Sequence, residues 1–158
     1  IRAAYETGLT SVFLPEFDRM METPQNNPHH IYSVGDHTIH AVETIAPNPI
    51  LRLTMLLHDI AKPETRSTDE NGIDHFYDHN EAGAVLSKTI LRRLKFDNQT
   101  TQMVTTLIAH HDIRFNDALG TGRKHVRRVI HSVGENLFPY LRIFLHRVIL
   151  CVLKSLLH

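Results

Sequence analysis

The stretch LRLTMLLHDIAKP, residues 51–63, decides the fold, because a nearly unbroken apolar run ends in His58-Asp59 and is then stopped by proline. Its apolar residues recur at i+3/i+4 spacing and cover most of a helical surface, namely Leu51, Leu53, Met55, Leu56, Leu57, Ile60 and Ala61. The pattern predicts a buried helix that ends at Pro63. An imidazole beside a carboxylate is costly to bury unless each group finds a partner, and a divalent cation would satisfy both. His58 and Asp59 therefore indicate a metal site, with a hydrogen-bonded core histidine as the alternative.

Further candidate ligands lie on separate helical stretches before and after residues 51–63, namely His37, His79, His110, His111 and Asp112. If these helices converge, the polar side chains meet at His58-Asp59. The chain has 13 histidines, and their grouping near apolar helices favours metal chemistry over the alternative of a histidine-rich surface.

Composition predicts one soluble domain. A chain of 158 residues is long enough for a hydrophobic core, and 17 Lys and Arg balance 17 Asp and Glu, so any contact with a polyanion must be local. The single cysteine, Cys151, excludes an internal disulfide and a cysteine-rich zinc site, which agrees with a cytoplasmic protein. The sequence has no pattern of a signal peptide or spanning helix, so we expect no membrane partner.

Helix signals on both sides of residues 51–63 predict an all-α bundle that forms a single domain over 1–158. We expect an N-terminal packing helix at about 1–22, a metal-site core at about 31–116 and C-terminal helices at about 122–158. One small β-hairpin is predicted around Asn71-Gly72, which is a strong turn signal between residues 65–68 and 73–77. Disorder of this polar segment is the alternative.

Capping signals predict where three of the helices begin: Ser33 with Asp36, Asp78 with Glu81, and Asn98 alone. The first two helices are expected to end near Ala46 and Lys95. The third carries His110 and His111, which project about 100° apart on a helix. A loop is predicted at 117–122.

The order of the polar residues resembles a known family. His37 is followed by His58-Asp59, with Lys62 three residues later, and this series resembles the HD superfamily of metal-dependent phosphohydrolases. Four longer stretches resemble, more narrowly, the HD domain of bacterial CCA-adding tRNA nucleotidyltransferases, namely PHHIYSVGDHTIHAVE (28–43), LRLTMLLHDIAKPETR (51–66), HFYDHNEAGAVLSKTILRRLKFDN (75–98) and IAHHD (108–112). The resemblance extends from Phe13 to about Tyr140. Those enzymes carry a nucleotidyltransferase domain ahead of this region, so a fragment is one interpretation of the chain.

The resemblance implies a set of metal ligands. His37, His58 and Asp59 match the ligands of the family, and their donor atoms suit Mn, Fe, Co, Ni, Zn or Mg without choosing among them. The family also supplies a late aspartate from an Arg-Ala-Asp segment, whereas residues 147–149 here are Arg-Val-Ile. Asp112 is the candidate replacement.

The resemblance also implies roles in catalysis and substrate binding. Asp59 is expected to orient a water molecule, and Lys62 to meet a substrate phosphate as a mobile point charge, with an ordinary helix-end lysine as the alternative. We expect His79, His110 and His111 to line the substrate side. Since a second cation would need a bridging carboxylate and anionic neighbours, one metal or none is expected.

These features predict an HD-type metal-dependent phosphohydrolase that acts on nucleotide or RNA phosphoesters. The alternative is a non-catalytic tRNA-binding or structural HD module of a CCA-adding enzyme. Basic clusters at 92–95 and 123–128 make tRNA contact conceivable, although short basic clusters on helices are usually solvated faces.

Overall fold

A computed structural model describes residues 1–26, 32–113 and 123–155, the last seven of them by their backbone alone. The predicted all-α class with one small hairpin is confirmed; the predicted loop at 117–122 lies outside the described residues. The helices are Arg2–Glu6 (α1), Thr10–Phe13 (α2), Pro15–Glu22 (α3), Val34–Thr44 (α4), Pro49–Leu57 (α5), Lys62–Thr65 (α6), His79–Arg93 (α7), Asn98–Ala109 (α8), Arg123–Val133 (α9) and Phe138–Ser155 (α10). Within the described ranges, none of the helices is both long and apolar enough to cross a bilayer.

The chain changes direction within residues 51–63, which the sequence did not predict. Helix α5 ends at Leu57, and tight i→i−3 hydrogen bonds follow, from Ile60 N to Leu57 O (3.2 Å) and from Lys62 N to Asp59 O (3.0 Å). Pro63 does not end the long helix but lies in the first turn of α6, where its missing N–H costs no hydrogen bond. As a result, His58 and Asp59 lie at the bend between two helices.

The prediction of one packing helix at 1–22 is wrong. Three short helices occupy this segment, because Gly8 adopts a positive φ of 72° after α1 and Leu14 leaves the helical conformation, with φ −144° and ψ 58°, before α3. Pro15 opens α3 at a position where proline favours a helix start.

Capping signals predicted three further helix starts, and the structure confirms the capping residue of one of them. The Ser33 hydroxyl accepts a hydrogen bond from Asp36 N at 3.0 Å, so the predicted start of α4 is confirmed. Helix α8 is capped by Asp97 rather than Asn98, since its carboxylate accepts from Thr100 N at 2.8 Å. Asp78 precedes α7 in a left-handed conformation (φ 56°) and makes no capping hydrogen bond, so its predicted capping role is wrong.

The predicted hairpin is present as two antiparallel strands, Arg66–Thr68 (β1) and Asp74–Phe76 (β2), with Arg66 opposite Phe76. The buried carboxylate of Asp74 holds it in place by accepting from Arg66 Nη2 (3.0 Å), Thr68 Oγ1 (2.7 Å) and Asn26 N (2.9 Å). The last bond ties the hairpin to the segment after α3. The hairpin also affects where α7 begins, because β2 ends shortly before this helix.

Three apolar clusters join the helices. The largest unites α3, α4, α5, α7 and α8 around buried residues that include Phe17, Met20, Ile39, Leu57, Ile60, Ile90 and Ile108. The second joins α4 and α5 to Phe144 of α10, and the third joins α8, α9 and α10 through Leu107, Val129, Val133, Leu141 and Leu145. The polar end of α5 thus lies among elements fixed by packing.

Gly35 allows α3 and α4 to approach closely. A Cβ at this position would lie 2.7 Å from Met21 N and 2.8 Å from Met21 Cα, and a backbone cannot move as a side chain can. We expect Gly35→Ala to lower the free energy of unfolding by about 2 kcal/mol or more through overpacking, measured by urea denaturation. Gly83→Ala in α7 is the control, since its Cβ would meet its nearest neighbours at 3.4 Å, an ordinary contact. Equal destabilisation by both variants would contradict the close-approach explanation.

A bidentate ion pair joins α3 to the end of α7. The guanidinium of Arg93 donates to both carboxylate oxygens of buried Glu16, at 2.8 and 2.7 Å, and Nη2 also reaches Phe13 O at 3.3 Å. The hydrogen bonds from Arg93 lower the pKa of Glu16 below the ordinary glutamate value of 4.5, against the opposing effect of burial.

Because the pKa of Glu16 is lower in the folded than in the unfolded chain, the ion pair stabilises the fold fully above pH 4.5, and the stabilisation is lost as pH falls through the folded pKa. We expect Glu16→Gln to cost about 1–2 kcal/mol at pH 7, since Arg93 is partly exposed, and much less at pH 3. Urea midpoints at the two pH values measure the difference. Glu6→Gln, at an exposed position of α1, should change neither midpoint by a comparable amount. A gap that stays constant with pH would refute the ionic contribution.

Candidate metal centre

His58 and Asp59 lie at the bend after α5 and are almost fully buried, at 1% and 2% exposure. His58 Nε2 is 3.2 Å from Asp59 Oδ2, and the ammonium of Lys62 is 2.9 Å from the same oxygen. The bend aims both side chains into one space, which a straight helix would not do for neighbouring residues. The predicted central pair is therefore placed side by side.

His37 joins this pair from α4. It is buried at 3% exposure in the second turn of its helix, and its ring centroid is 6.0 Å from that of His58. One potential ligand atom from each of His37, His58 and Asp59 lies within 4.8 Å of the others. The three residues expected to bind metal are thus brought together.

A second group of potential ligands shares Asp59. His79 at the start of α7 and His111 after α8 point their Nε2 atoms at Asp59 Oδ1, at 3.6 and 3.7 Å. The potential ligand atoms of these three residues also lie within 4.8 Å of one another. The two oxygens of Asp59 thus face two groups, and the histidines assigned to the substrate side occupy positions suited to ligands.

Backbone carbonyls orient three of these histidines. Nδ1 lies 2.7 Å from Met55 O in His58, 2.6 Å from Phe76 O in His79 and 2.7 Å from Ile108 O in His111. A carbonyl oxygen only accepts, so each Nδ1 is the donor of its bond and each Nε2 is left facing the cluster. Metal-binding histidines are oriented by the same arrangement.

The distance between the Nε2 atoms of His79 and His111 is compatible with a cation bound by both. Their Nε2 atoms are 3.1 Å apart, and two lone pairs at that distance repel each other unless a proton or cation lies between them. Two nitrogens about 2.1 Å from one ion, at angles of about 90–109°, lie about 3.0–3.4 Å apart. The donor set and its spacing fit a divalent ion.

The charges of the cluster favour an ionised carboxylate and a neutral imidazole. Burial would raise the pKa of Asp59, but the charges of His58 and Lys62 and hydrogen bonds from His111 and His58 outweigh it and hold this pKa well below its usual value. Burial lowers the pKa of His79, an effect that the Asp59 charge opposes without cancelling. Both residues are therefore in the protonation state that a metal ligand requires.

Lys62 is not the mobile lysine that the sequence suggested. It is 9% exposed, and its ammonium donates to Gln25 Oε1 at 3.1 Å as well as contacting Asp59. The ring centroid of Phe76 lies 5.2 Å from the same nitrogen. The alternative of an ordinary helix-end lysine is wrong, because the side chain lies inside the site.

Two predicted residues do not join the cluster. Asp112 is exposed in the turn after α8 and belongs to neither group of potential ligands among the described residues. His110 turns away as well, with Nδ1 donating to Thr106 O (2.8 Å) and Nε2 bonded to Ser132 Oγ of α9 (2.8 Å). Only one of three consecutive polar residues can face inwards where α8 ends, and that residue is His111.

Sequence reasoning missed two residues of the site. Gln25 is 5% exposed and accepts a hydrogen bond from Lys62, but it follows a proline in a segment without periodicity, so no sequence pattern points to it. Phe144 is fully buried, with ring centroids 5.7 Å from His58 and 6.4 Å from His111. Its place in the apolar stripe of α10 was a usable signal for burial, although not for a contact with the cluster.

The model of the HD domain family matches residues 29–144, which include every residue of the two groups. This chain belongs to the HD-domain family. The resemblance inferred from His37, His58-Asp59 and Lys62 is therefore confirmed for the family.

Relatives of this HD domain include enzymes of two kinds. It is 34% identical over 134 residues to a CC-adding tRNA nucleotidyltransferase of Thermus thermophilus, covering 81% of this chain and 30% of that enzyme. An A-adding tRNA nucleotidyltransferase of Deinococcus radiodurans is 30% identical over 143 residues, with coverage of 87% and 32%. A bifunctional uridylyltransferase/uridylyl-removing enzyme of Streptomyces coelicolor is 30% identical over 151 residues, with coverage of 81% and 17%. The chain thus spans less than a third of the length of these relatives.

The shared carboxylate predicts a pattern of metal loss. We expect Asp59→Asn to remove metal from both groups, whereas His37→Ala and His79→Ala should each remove metal from one group only, because each histidine belongs to one. Metal content after loading with Mn²⁺ and desalting is measured by elemental analysis, with circular dichroism as the check on folding.

Asp112→Asn is the matched control, since it makes the same change at an exposed carboxylate. Its metal content should equal that of the unmodified chain. Loss of metal from this variant, or full retention in Asp59→Asn, would show that the two groups are not the site.

Proposed function

We propose that this HD domain is a metal-dependent phosphohydrolase acting on nucleotide or RNA phosphoesters. One observation carries the proposal, namely that oriented imidazole Nε2 atoms converge on the two oxygens of the buried carboxylate Asp59. Ordinary core histidines satisfy both ring nitrogens, whereas here each Nδ1 is bonded to the backbone and each Nε2 faces the cluster.

The same observation supports two ions rather than the one or none expected from the sequence. That expectation rested on the need of a second cation for a bridging carboxylate and anionic neighbours. Asp59 has one oxygen near His58 and the other near His79 and His111, so it suits a bridging role. Divalent ions held there would supply Lewis-acid chemistry, polarising a phosphoryl oxygen and making water a stronger nucleophile near neutral pH.

The protein residues around the centre bind and orient. His37 and His58 would hold a metal ion on one side, His79 and His111 would hold one on the other, and Asp59 belongs to both groups. The ammonium of Lys62 lies at the Oδ2 side of Asp59 and can donate a hydrogen bond to a substrate phosphate oxygen while Gln25 keeps it in place. Phe144 covers the rings of His58 and His111 and excludes water from that side.

The substrate class rests on the relatives. Two are named for adding nucleotides to tRNA and a third for transferring and removing uridylyl groups. All three names refer to nucleotidyl or uridylyl groups, which are attached through phosphoester bonds. We therefore propose a phosphoester bond of this kind as the target of this chain. A tRNA partner belongs to the same proposal.

One observation favours the second candidate function, a non-catalytic RNA-binding or structural HD module. The sequence of α10 contains no carboxylate, and this helix presents the ring of Phe144 to the cluster. A centre with Asp59 as its single carboxylate would hold ions less tightly than one with two. The two candidates differ in turnover, since only the enzyme hydrolyses a phosphoester when metal is supplied.

The enzyme proposal predicts metal-dependent hydrolysis of bis(p-nitrophenyl) phosphate or a 2′,3′-cyclic nucleotide. We expect activity with Mn²⁺ or a similar ion and none after chelation. In Lys62→Met we expect kcat/KM to fall about 10²-fold, because the variant lacks the positive charge that would stabilise the phosphoryl oxygens. Release of p-nitrophenol or of the nucleoside monophosphate measures turnover.

Lys88→Met, at an exposed lysine of α7, is the control and should keep full activity. Bound metal without turnover of any tested phosphoester would favour the non-catalytic module. Activity that survives removal of the metal would refute the enzyme proposal.

A further inference from the structure

Helix α9 concentrates positive charge on a chain with no net charge. Six of its 11 residues, RKHVRRVIHSV, are Arg, Lys or His, and none is acidic. The rest of the chain has a net charge of −4, because 13 Lys and Arg there accompany all 17 Asp and Glu. The basic character is therefore a property of one helix surface and not of the composition.

The arginine and lysine side chains of α9 are exposed and have no partners within the described part of the chain. Arg123, Lys124, Arg127 and Arg128 are all exposed, and none forms an ion pair or hydrogen bond with another described residue. The undescribed segments contain a single acidic side chain, Asp117. The protein therefore leaves most of this charge uncompensated.

This arrangement is unfavourable for an isolated helix. Arg123 with Arg127, and Lys124 with Arg128, are like-charged pairs at i, i+4 spacing, and each destabilises a helix by about 0.2–0.5 kcal/mol. Two of these residues also lie in the first turn, where the helix dipole favours negative charge. A polyanion along the helix would relieve both effects.

The opposite face of α9 identifies the kind of polyanion. Val129 and Val133 are 5% and 6% exposed and pack against Leu107 of α8 and Leu141 and Leu145 of α10. A basic helix binds a lipid surface by inserting its apolar face, and here that face is already buried. The residues of α9 that are classed as exposed are all basic or polar, which suits the phosphates of a nucleic acid strand.

The basic surface leads to the metal centre. Ser132 of α9 is hydrogen-bonded to His110, whose neighbour His111 belongs to the cluster. On a helix, Ser132, Arg128 and Lys124 lie within about 80° of one another and span about 12 Å along the axis. Lys124 and Arg128 therefore continue the line of Ser132, which contacts the sequence neighbour of the cluster residue His111, along the helix.

We propose that α9 binds the sugar–phosphate backbone of an RNA strand and leads it to the metal centre, with Lys124 and Arg128 as the main contacts. The backbone contact rests on charge and geometry, while the choice of RNA rests on the proposed function. His110, expected to line the substrate side, takes the role of joining α9 to α8. The substrate is then a polynucleotide rather than a free nucleotide.

The test compares two variants with the same chemistry. Lys124→Gln/Arg128→Gln removes the i, i+4 pair of α9, and Lys88→Gln/Arg92→Gln removes an equally exposed Lys and Arg pair at the same spacing in α7. The control pair lies about 14–20 Å along α7 from His79. Fluorescence anisotropy of a labelled 12-nucleotide oligouridylate, measured from 50 to 200 mM salt, gives affinity and salt dependence.

We expect the unmodified chain to bind the RNA with a slope of log K against log salt of up to about −3, from about −0.7 for each phosphate neutralised. The α9 variant should lose affinity about tenfold or more at 50 mM salt and lower the magnitude of the slope by about 1.4. The α7 variant should match the unmodified chain. The deoxyuridylate strand should bind similarly, as expected for backbone contacts, and anionic vesicles should not bind.

Three outcomes would overturn the proposal: no RNA binding, equal losses in both variants, or vesicle binding that depends on Lys124 and Arg128. Hydrolysis of bis(p-nitrophenyl) phosphate separates this inference from the proposed function, because the small substrate does not reach α9 and should be hydrolysed equally by both variants. RNA binding through α9 without hydrolysis refutes the enzyme alone. Hydrolysis without α9-dependent RNA binding refutes the inference alone.

Discussion

An ionised carboxylate cannot stay buried among packed helices without positive charge or hydrogen-bond donors nearby, and Asp59 obtains them from four elements. His58 follows α5, Lys62 opens α6, His79 opens α7 and His111 follows α8. Removing a partner from a buried charge typically costs about 3–5 kcal/mol, so each of these helices is tied to the same carboxylate. The need to compensate Asp59 therefore determines both the helix arrangement and the chemistry that is available.

Local backbone geometry is what turns these histidines into candidate ligands. Three of them occur where a helix begins or ends, and there the Nδ1 atom of each reaches the backbone carbonyl of the residue three positions earlier. Each Nδ1 uses such a carbonyl, which leaves Nε2 for the cluster. The bend at Leu57 thus serves two purposes, since it places His58 and Asp59 side by side and frees Met55 O to orient the ring.

The sequence predicted the features that depend on local signals. The Ser33 cap, the hairpin around Asn71-Gly72 and the pairing of His37 with His58-Asp59 all follow from spacing within a few residues or from a family pattern. The prediction of one helix that ends at Pro63 was wrong because α5 ends at Leu57 and Pro63 lies in the first turn of the next helix, and the apolar periodicity continues across the bend. The choice of His111 over Asp112 depends on how α8 ends against its neighbours, which is a tertiary property that the pattern HHD does not contain.

Because the sequence of α10 contains no carboxylate, this helix adds no negative charge to the centre. The two divalent ions proposed for this centre would bring four positive charges, neutral histidine ligands would bring none, and Asp59 would supply the single negative charge of the two groups. Phe144 adds no charge and lowers the polarity beside His58 and His111, which strengthens electrostatic interactions there. Such a centre retains ions weakly by itself but attracts a phosphate strongly, because the phosphate provides the negative charge that the protein does not. Ion binding and substrate binding would then support each other, so the residues that weaken the empty centre also favour a phosphoester as the group that completes it.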